Sequence, residues 1–208
     1  MSKIFLLNNV KYEGVENIEL FSIEYLPKKI DLSKYDALIF TSKNAIYSID
    51  SFNKQWKDIP SYAIASKTAE IIEKYNGNLI FTGKKSHGDD FAHELIDVLK
   101  EKRVLYLKAQ KTVSNLTNIL KENNIDIDEQ VIYKTSCKDV DITLQNNSVF
   151  IFTSPSTVEC FFNKFTWNDT YKAIAIGKTT AKYFPTEINY KVSSLTSIDE
   201  CIKLAKEA

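Results

Sequence analysis

The 208-residue sequence repeats itself. Leu38-Ile39-Phe40-Thr41-Ser42 matches Phe150-Ile151-Phe152-Thr153-Ser154, and 112 positions separate the two blocks. The same 112 separates Ala63-Ile64 and Thr68-Ala69 from Ala175-Ile176 and Thr180-Ala181. Nearer the start of each copy, Phe5-Leu6-Leu7 matches Leu105-Tyr106-Leu107 at an offset of 100, and Ile23-Glu24-Tyr25 matches Val131-Ile132-Tyr133 loosely at 108. A unit of about 100 residues is near the usual domain size, so duplication predicts two similar domains and not one large sheet. The first copy is shorter: residues 112–123 have helical spacing, whereas residues 10–17 hold Gly14 and read as a loop.

Within each copy, short apolar runs alternate with polar turns and stretches of helical spacing, the rhythm of parallel strands and crossover helices. The runs are 4–7, 37–40, 62–65, 79–81, 104–107, 149–152, 173–176 and 190–192. Most lack polar alternation, as strands buried on both faces do. Residues 18–25 and 125–133 break the rhythm and read as extended connectors. If they cross between domains and pair, residues 4–7 join the three strands after Ser148, and the four strands between Ala37 and Leu107 form the other sheet. A plain tandem arrangement also obeys the connectivity rules.

Several function classes are excluded by what the chain lacks. Twenty-seven basic residues balance twenty-seven acidic ones, so no global field recruits nucleic acid or an anionic membrane. The apolar run near the start is four residues long, too short for a signal-peptide core or a membrane span. Cys137, Cys160 and Cys201 are odd in number and show no CxxC spacing, which argues against a disulfide framework and for a reducing cytoplasm. His87 and His93 have no partners at metal-ligand spacing, so both read as structural or exposed. Gly177-Lys178-Thr179 lacks the first glycine of a phosphate loop, since Lys172 stands five residues before Gly177. No GxSxG or other nucleophile–base motif appears.

In open parallel sheets, ligands bind where strand ends lead into helix N-termini, and the repeated motifs fall there. Thr41-Ser42 and Ser154-Pro155-Ser156 can cap a helix or meet a carboxylate, capping being the commoner use of such hydroxyls. Ser66-Lys67 and Lys178-Thr179-Thr180 repeat the arrangement with a lysine in each loop. Ser86 and Lys108 lie in two further lysine-bearing loops that could accept carboxylates, against the ordinary reading of solvated surface. Tyr133 ends the second connector. Its phenol, protonated at neutral pH, can donate to a departing hydroxyl, although packing is the default role for one of eleven tyrosines.

Leu38 to Ser42, Val131 to Thr135, Phe152 to Ser156 and Ala175 to Ala181, in this order, resemble the uroporphyrinogen-III synthase family along nearly the whole chain. The resemblance implies an α/β fold of two similar domains with parallel sheets flanked by helices, joined by a two-stranded β connector, with the active site in the cleft. It places residues 1–20 and 134–208 in one domain, 28–124 in the other, and 21–27 and 125–133 in the connector. The implied substrate is hydroxymethylbilane, a linear tetrapyrrole with eight carboxylates, cyclised by a monomer with neither metal nor organic cofactor. Tyr133 then matches the family's connector tyrosine, Thr179-Thr180 its threonine pair, and Ser154 with Ser156 its Ser-Pro-Ser loop. Lys178 departs from the pattern, standing where a proline is frequent. Outside the resemblance, a non-catalytic two-domain binder of a small polyanion is the competing reading.

Overall fold

The computed structural model describes residues 2–207. Its strands are β1 (Ile4–Leu7), β2 (Glu16–Asn17), β3 (Phe21–Tyr25), β4 (Ala37–Phe40), β5 (Ser61–Ala63), β6 (Leu79–Thr82), β7 (Arg103–Ala109), β8 (Asp126–Cys137), β9 (Val149–Phe152), β10 (Lys172–Ala175) and β11 (Tyr190–Val192). Its α-helices are α1 (Lys43–Phe52), α2 (Ser66–Lys74), α3 (Gly88–Leu95), α4 (Leu116–Glu122), α5 (Pro155–Lys164), α6 (Lys178–Ala181) and α7 (Ile198–Lys206). Two compact units result. Unit 1 takes the residues through Ser22 and those from Ser136 on, and unit 2 runs Ile23–Thr135.

Unit 1 has the sheet order β11-β10-β9-β1-β2, and the corresponding part of unit 2 is β6-β5-β4-β7-β8. Every pairing within these series is parallel. Central strands are fully buried, as in Val149-Phe150-Ile151-Phe152, while the edge strand β11 is exposed throughout. Helices cover both faces. In unit 1, Phe161 and Ala181 pack on one face and Cys201, Ile202 and Ala205 on the other. In unit 2, Ile46, Ile49 and Ile72 cover one face, and Phe91, Leu95, Leu116 and Leu120 the other. The loop expected in place of a helix in the first copy is present: no helix lies between β1 and β2, where the second copy has α4.

The connectors pair with each other through β3 and β8. Leu26 N–H donates to Ile132 O at 2.8 Å, and Lys138 N–H donates to Leu20 O at 2.8 Å. These are one hydrogen bond repeated, because an offset of 112 carries Leu26 onto Lys138 and Leu20 onto Ile132. The register agrees: Phe5 pairs with Glu16 and Leu105 with Asp128, and Glu16 and Asp128 again lie 112 apart. The expected connector offset of 108 is therefore corrected to 112. Leu20 and Ile132, both fully buried, are the equivalent residues, and Tyr133 corresponds to Phe21.

A second correction concerns the cysteines. Cys137, at the end of β8, is bonded to Cys160 in α5, and Cys201 alone stays free and buried. The chain path brings the end of a connector against a helix 23 residues on, which no spacing rule reveals.

Candidate active site

The C-terminal ends of β4 and β9 carry the repeated Thr-Ser pair. Ser42 is the N-cap of α1, its Oγ accepting from Asn44 N–H at 3.2 Å. Ser154 caps α5 with a reciprocal box in which its Oγ accepts from Thr157 N–H at 3.3 Å and Thr157 Oγ1 accepts from Ser154 N–H at 3.2 Å. Pro155 opens the helix, where a missing N–H costs nothing. Ser156 follows in the first turn and is half-buried. Both serines thus satisfy the ends of their own helices.

The next pair of strand ends differs. Ala65 and Gly177 occupy the N-cap positions of α2 and α6, and neither provides a side-chain cap. Ser66, Lys67, Lys178 and Thr179 are exposed in the first turns, and neither lysine meets a carboxylate among the described residues. Thr180 is buried at 3% exposure, as is its counterpart Thr68 at 6%, so both face inward. Ser86 is exposed in the turn before α3. Lys108 is held internally: its Nζ donates to Glu129 Oε1 at 2.8 Å. Burial pushes the Glu129 carboxyl up, but hydrogen bonds from Lys108 and Thr117 outweigh it and hold the group below its ordinary value.

Tyr133 is 7% exposed and packs in the unit 2 core beside Leu107 and Ile132. Burial raises its phenol pKa, and a hydrogen bond with Ser42 partly opposes the rise. Tyr106, 2% exposed on β7, places its hydroxyl 2.8 Å from Thr41 Oγ1. Burial pushes its pKa up to about 12. Unit 2 therefore gathers Thr41, Ser42, Tyr106 and Tyr133 around the end of β4. By the repeat offsets, the tyrosine positions in unit 1 hold Leu6 and Phe21, which have no hydroxyl. Sequence reading passed over Tyr106 because Leu105-Tyr106-Leu107 reads as core, and its partner is 65 residues away.

Two hollows open elsewhere in unit 1. One, of about 350 Å³, is lined by Lys172, Tyr190 and Glu207, and one of about 550 Å³ by Tyr12, Asp199 and Lys203. Neither touches the repeated loops. Among the described residues no three His, Cys, Asp or Glu side chains converge as a metal site, and no helix is long and apolar enough to cross a membrane.

Comparison with known proteins gives one family. Residues 16–192 match the family model described as uroporphyrinogen-III synthase HemD. The porphyrin biosynthesis protein HemD of Ruminiclostridium josui is 26% identical over 95% of this chain, and the chain spans 44% of that relative's length. The crystal structure of uroporphyrinogen-III synthetase from Helicobacter pylori superposes with a TM-score of 0.87 at 29% identity, covering 100% of this chain and 99% of that one. A uroporphyrinogen III synthase structure from Thermus thermophilus, at 14% identity and a TM-score of 0.58 over 100% of this chain and 99% of that one, shares the fold.

Proposed function

Because the chain belongs to the uroporphyrinogen-III synthase HemD family, we propose that it cyclises hydroxymethylbilane to uroporphyrinogen III, with inversion of the last ring and loss of water. The observation that carries this reading is the doubled strand end with an uncapped helix and an unpaired lysine, Lys67 in unit 2 and Lys178 in unit 1. Free N–H groups and an ammonium together suit carboxylates, and the substrate has eight of them. Exposed Ser66, Ser86 and Thr179 add hydroxyl donors, whereas Lys108 and Thr180 are committed inward and contribute by shaping the loops.

Departure of the terminal hydroxyl leaves an azafulvene cation, which the substituted carbon of the last ring attacks; the spiro intermediate then fragments and recloses. Tyr133 is the proton donor to the departing hydroxyl in this proposal. Its burial supports that role, since a raised pKa keeps the phenol protonated at neutral pH. The remainder is positioning: the free substrate closes to the symmetric isomer unaided, so holding the chain folded is the main demand on the enzyme. We place the reaction in the cytoplasm, with a monomer acting on a small molecule and using neither nucleic acid nor membrane.

The test supplies fresh hydroxymethylbilane to the purified protein, oxidises the products and separates isomers I and III. Isomer III in excess of the protein supports the synthase reading. Isomer I alone, matching a protein-free control, leaves a folded binder or an inactive relative.

A further inference from the structure

The two repeated threonines have opposite hydrogen-bond polarity. Thr153 Oγ1 donates to the carbonyl of Leu7 at 3.2 Å. A carbonyl only accepts, so the Thr153 proton is committed and its oxygen can only accept from a ligand. Thr41, its counterpart 112 residues earlier, bonds instead to the Tyr106 hydroxyl at 2.8 Å. That phenol is 2% exposed, and Thr41 Oγ1 is its only hydrogen-bond partner among the described residues. A buried O–H needs an acceptor, so Tyr106 donates and Thr41 keeps its own proton free. With its pKa pushed up to about 12 by burial, the phenol stays protonated at neutral pH. Thr41 itself is only half-buried, leaving that proton available.

The neighbouring residue differs in the same sense. Lys43 is exposed and meets no carboxylate among the described residues, while its counterpart by the repeat is Pro155. One strand end thus offers a donor hydroxyl and a cation, and its equivalent offers an acceptor hydroxyl and no charge.

We infer that Tyr106 is a positioning residue that fixes Thr41 as a hydrogen-bond donor to a substrate carboxylate, whereas Thr153 accepts from an N–H donor such as a pyrrole. The inference rests on the synthase reading for the identity of the substrate. The polarity of the two threonines does not.

The experiment measures kcat and KM for hydroxymethylbilane, and the Kd of uroporphyrin I as a stable octacarboxylate probe. The wild type is compared with Tyr106→Phe, Thr41→Val, Thr41→Ser, Thr153→Val and the doubles Tyr106→Phe/Thr41→Val and Tyr106→Phe/Thr153→Val. Loss of one hydrogen bond to a charged group is worth about tenfold. Tyr106→Phe and Thr41→Val should each raise KM and Kd by about that factor with kcat nearly unchanged, and their double should be no worse than either single. Thr41→Ser should bind like the wild type, and Tyr106→Phe with Thr153→Val should multiply. A Tyr106→Phe enzyme with wild-type KM and Kd, or one losing kcat alone, overturns the inference. So does a Tyr106→Phe/Thr41→Val double equal to the product of its singles. If the wild type makes no isomer III, the synthase reading falls and the same cycle is decided on Kd; a wild type that neither makes isomer III nor binds the probe sinks both.

Discussion

Reducing the Cys137–Cys160 bond should weaken unit 1 and leave unit 2 untouched. The bond closes a loop with a sequence separation of 23 within unit 1. Loop-closure entropy for a ring of that length corresponds to about 3 kcal/mol at 25 °C, or roughly 10²-fold in the opening equilibrium. Cys160 is 3% exposed in the bonded form, and Cys201 is already free. Native-state hydrogen exchange reads the two units separately. In unit 1 the reporters are the Val149 amide, bonded to Lys3 O at 2.8 Å, and the Ile176 amide, bonded to Phe152 O at 3.0 Å. In unit 2 they are the Leu38 amide on Pro60 O and the Ile64 amide on Phe40 O. With a dithiol present, exchange at the first pair should quicken about 10²-fold while the second pair holds. Equal acceleration of all four, or none, would refute a constraint confined to unit 1. The outcome bears on the compartment too, because cytosolic thiol pools keep most cysteines reduced.

Tyr133→Phe should lower turnover about 10²-fold with the far-UV spectrum unchanged, and unchanged turnover removes the phenol from the mechanism. Lys178→Ala should raise the apparent substrate constant about fivefold without altering the isomer ratio, as removal of one exposed charge contact does; an unchanged constant returns Lys178 to solvent. Gly77→Ala should cost unit 2 about 2 kcal/mol in urea unfolding, because a Cβ there would sit 2.4 Å from Trp56 Cζ3 and 2.9 Å from Ile72 Cγ2, inside a packed core. For Asp50, burial raises the carboxyl pKa, but hydrogen bonds from Lys54 and Trp56 and the charge of Lys57 more than offset it. Its folded pKa therefore lies below the ordinary 3.8, so its contribution is present above that value and lost as pH falls through the folded one. The unfolding midpoint should drop more steeply below about pH 4 in wild type than in Asp50→Asn.

The fold was legible where burial dictates residue type. Val149 to Phe152 had to be branched or aromatic, being packed on both faces, and the matching run at Ala37 to Phe40 exposed the repeat. The strand β2 carries no strand signal in the sequence because Glu16-Asn17 is only two residues long and both are polar. Pairing Tyr25 with Tyr133 puts the connectors four residues out of register, because the constraint acts on the buried Leu20 and Ile132. Helix capping by Ser42 and Ser154 followed from local chemistry. The Thr41–Tyr106 hydrogen bond and the Cys137–Cys160 bond did not, since both depend on where the chain returns.

The parallel pairing of β1 with β9, Ile4 against Val149, also sets an order of assembly. Unit 2 is one unbroken stretch and can close its sheet once its last strand is made. At about 5–20 residues per second, roughly 7 to 30 seconds separate the synthesis of β1 from that of its neighbour β9. With only the two-residue β2 to pair on one side, the Ile-Phe-Leu-Leu strand keeps its β9 edge open and sticky for that interval. Slowing synthesis, or removing whatever shields that segment meanwhile, should therefore lower the yield of the native chain.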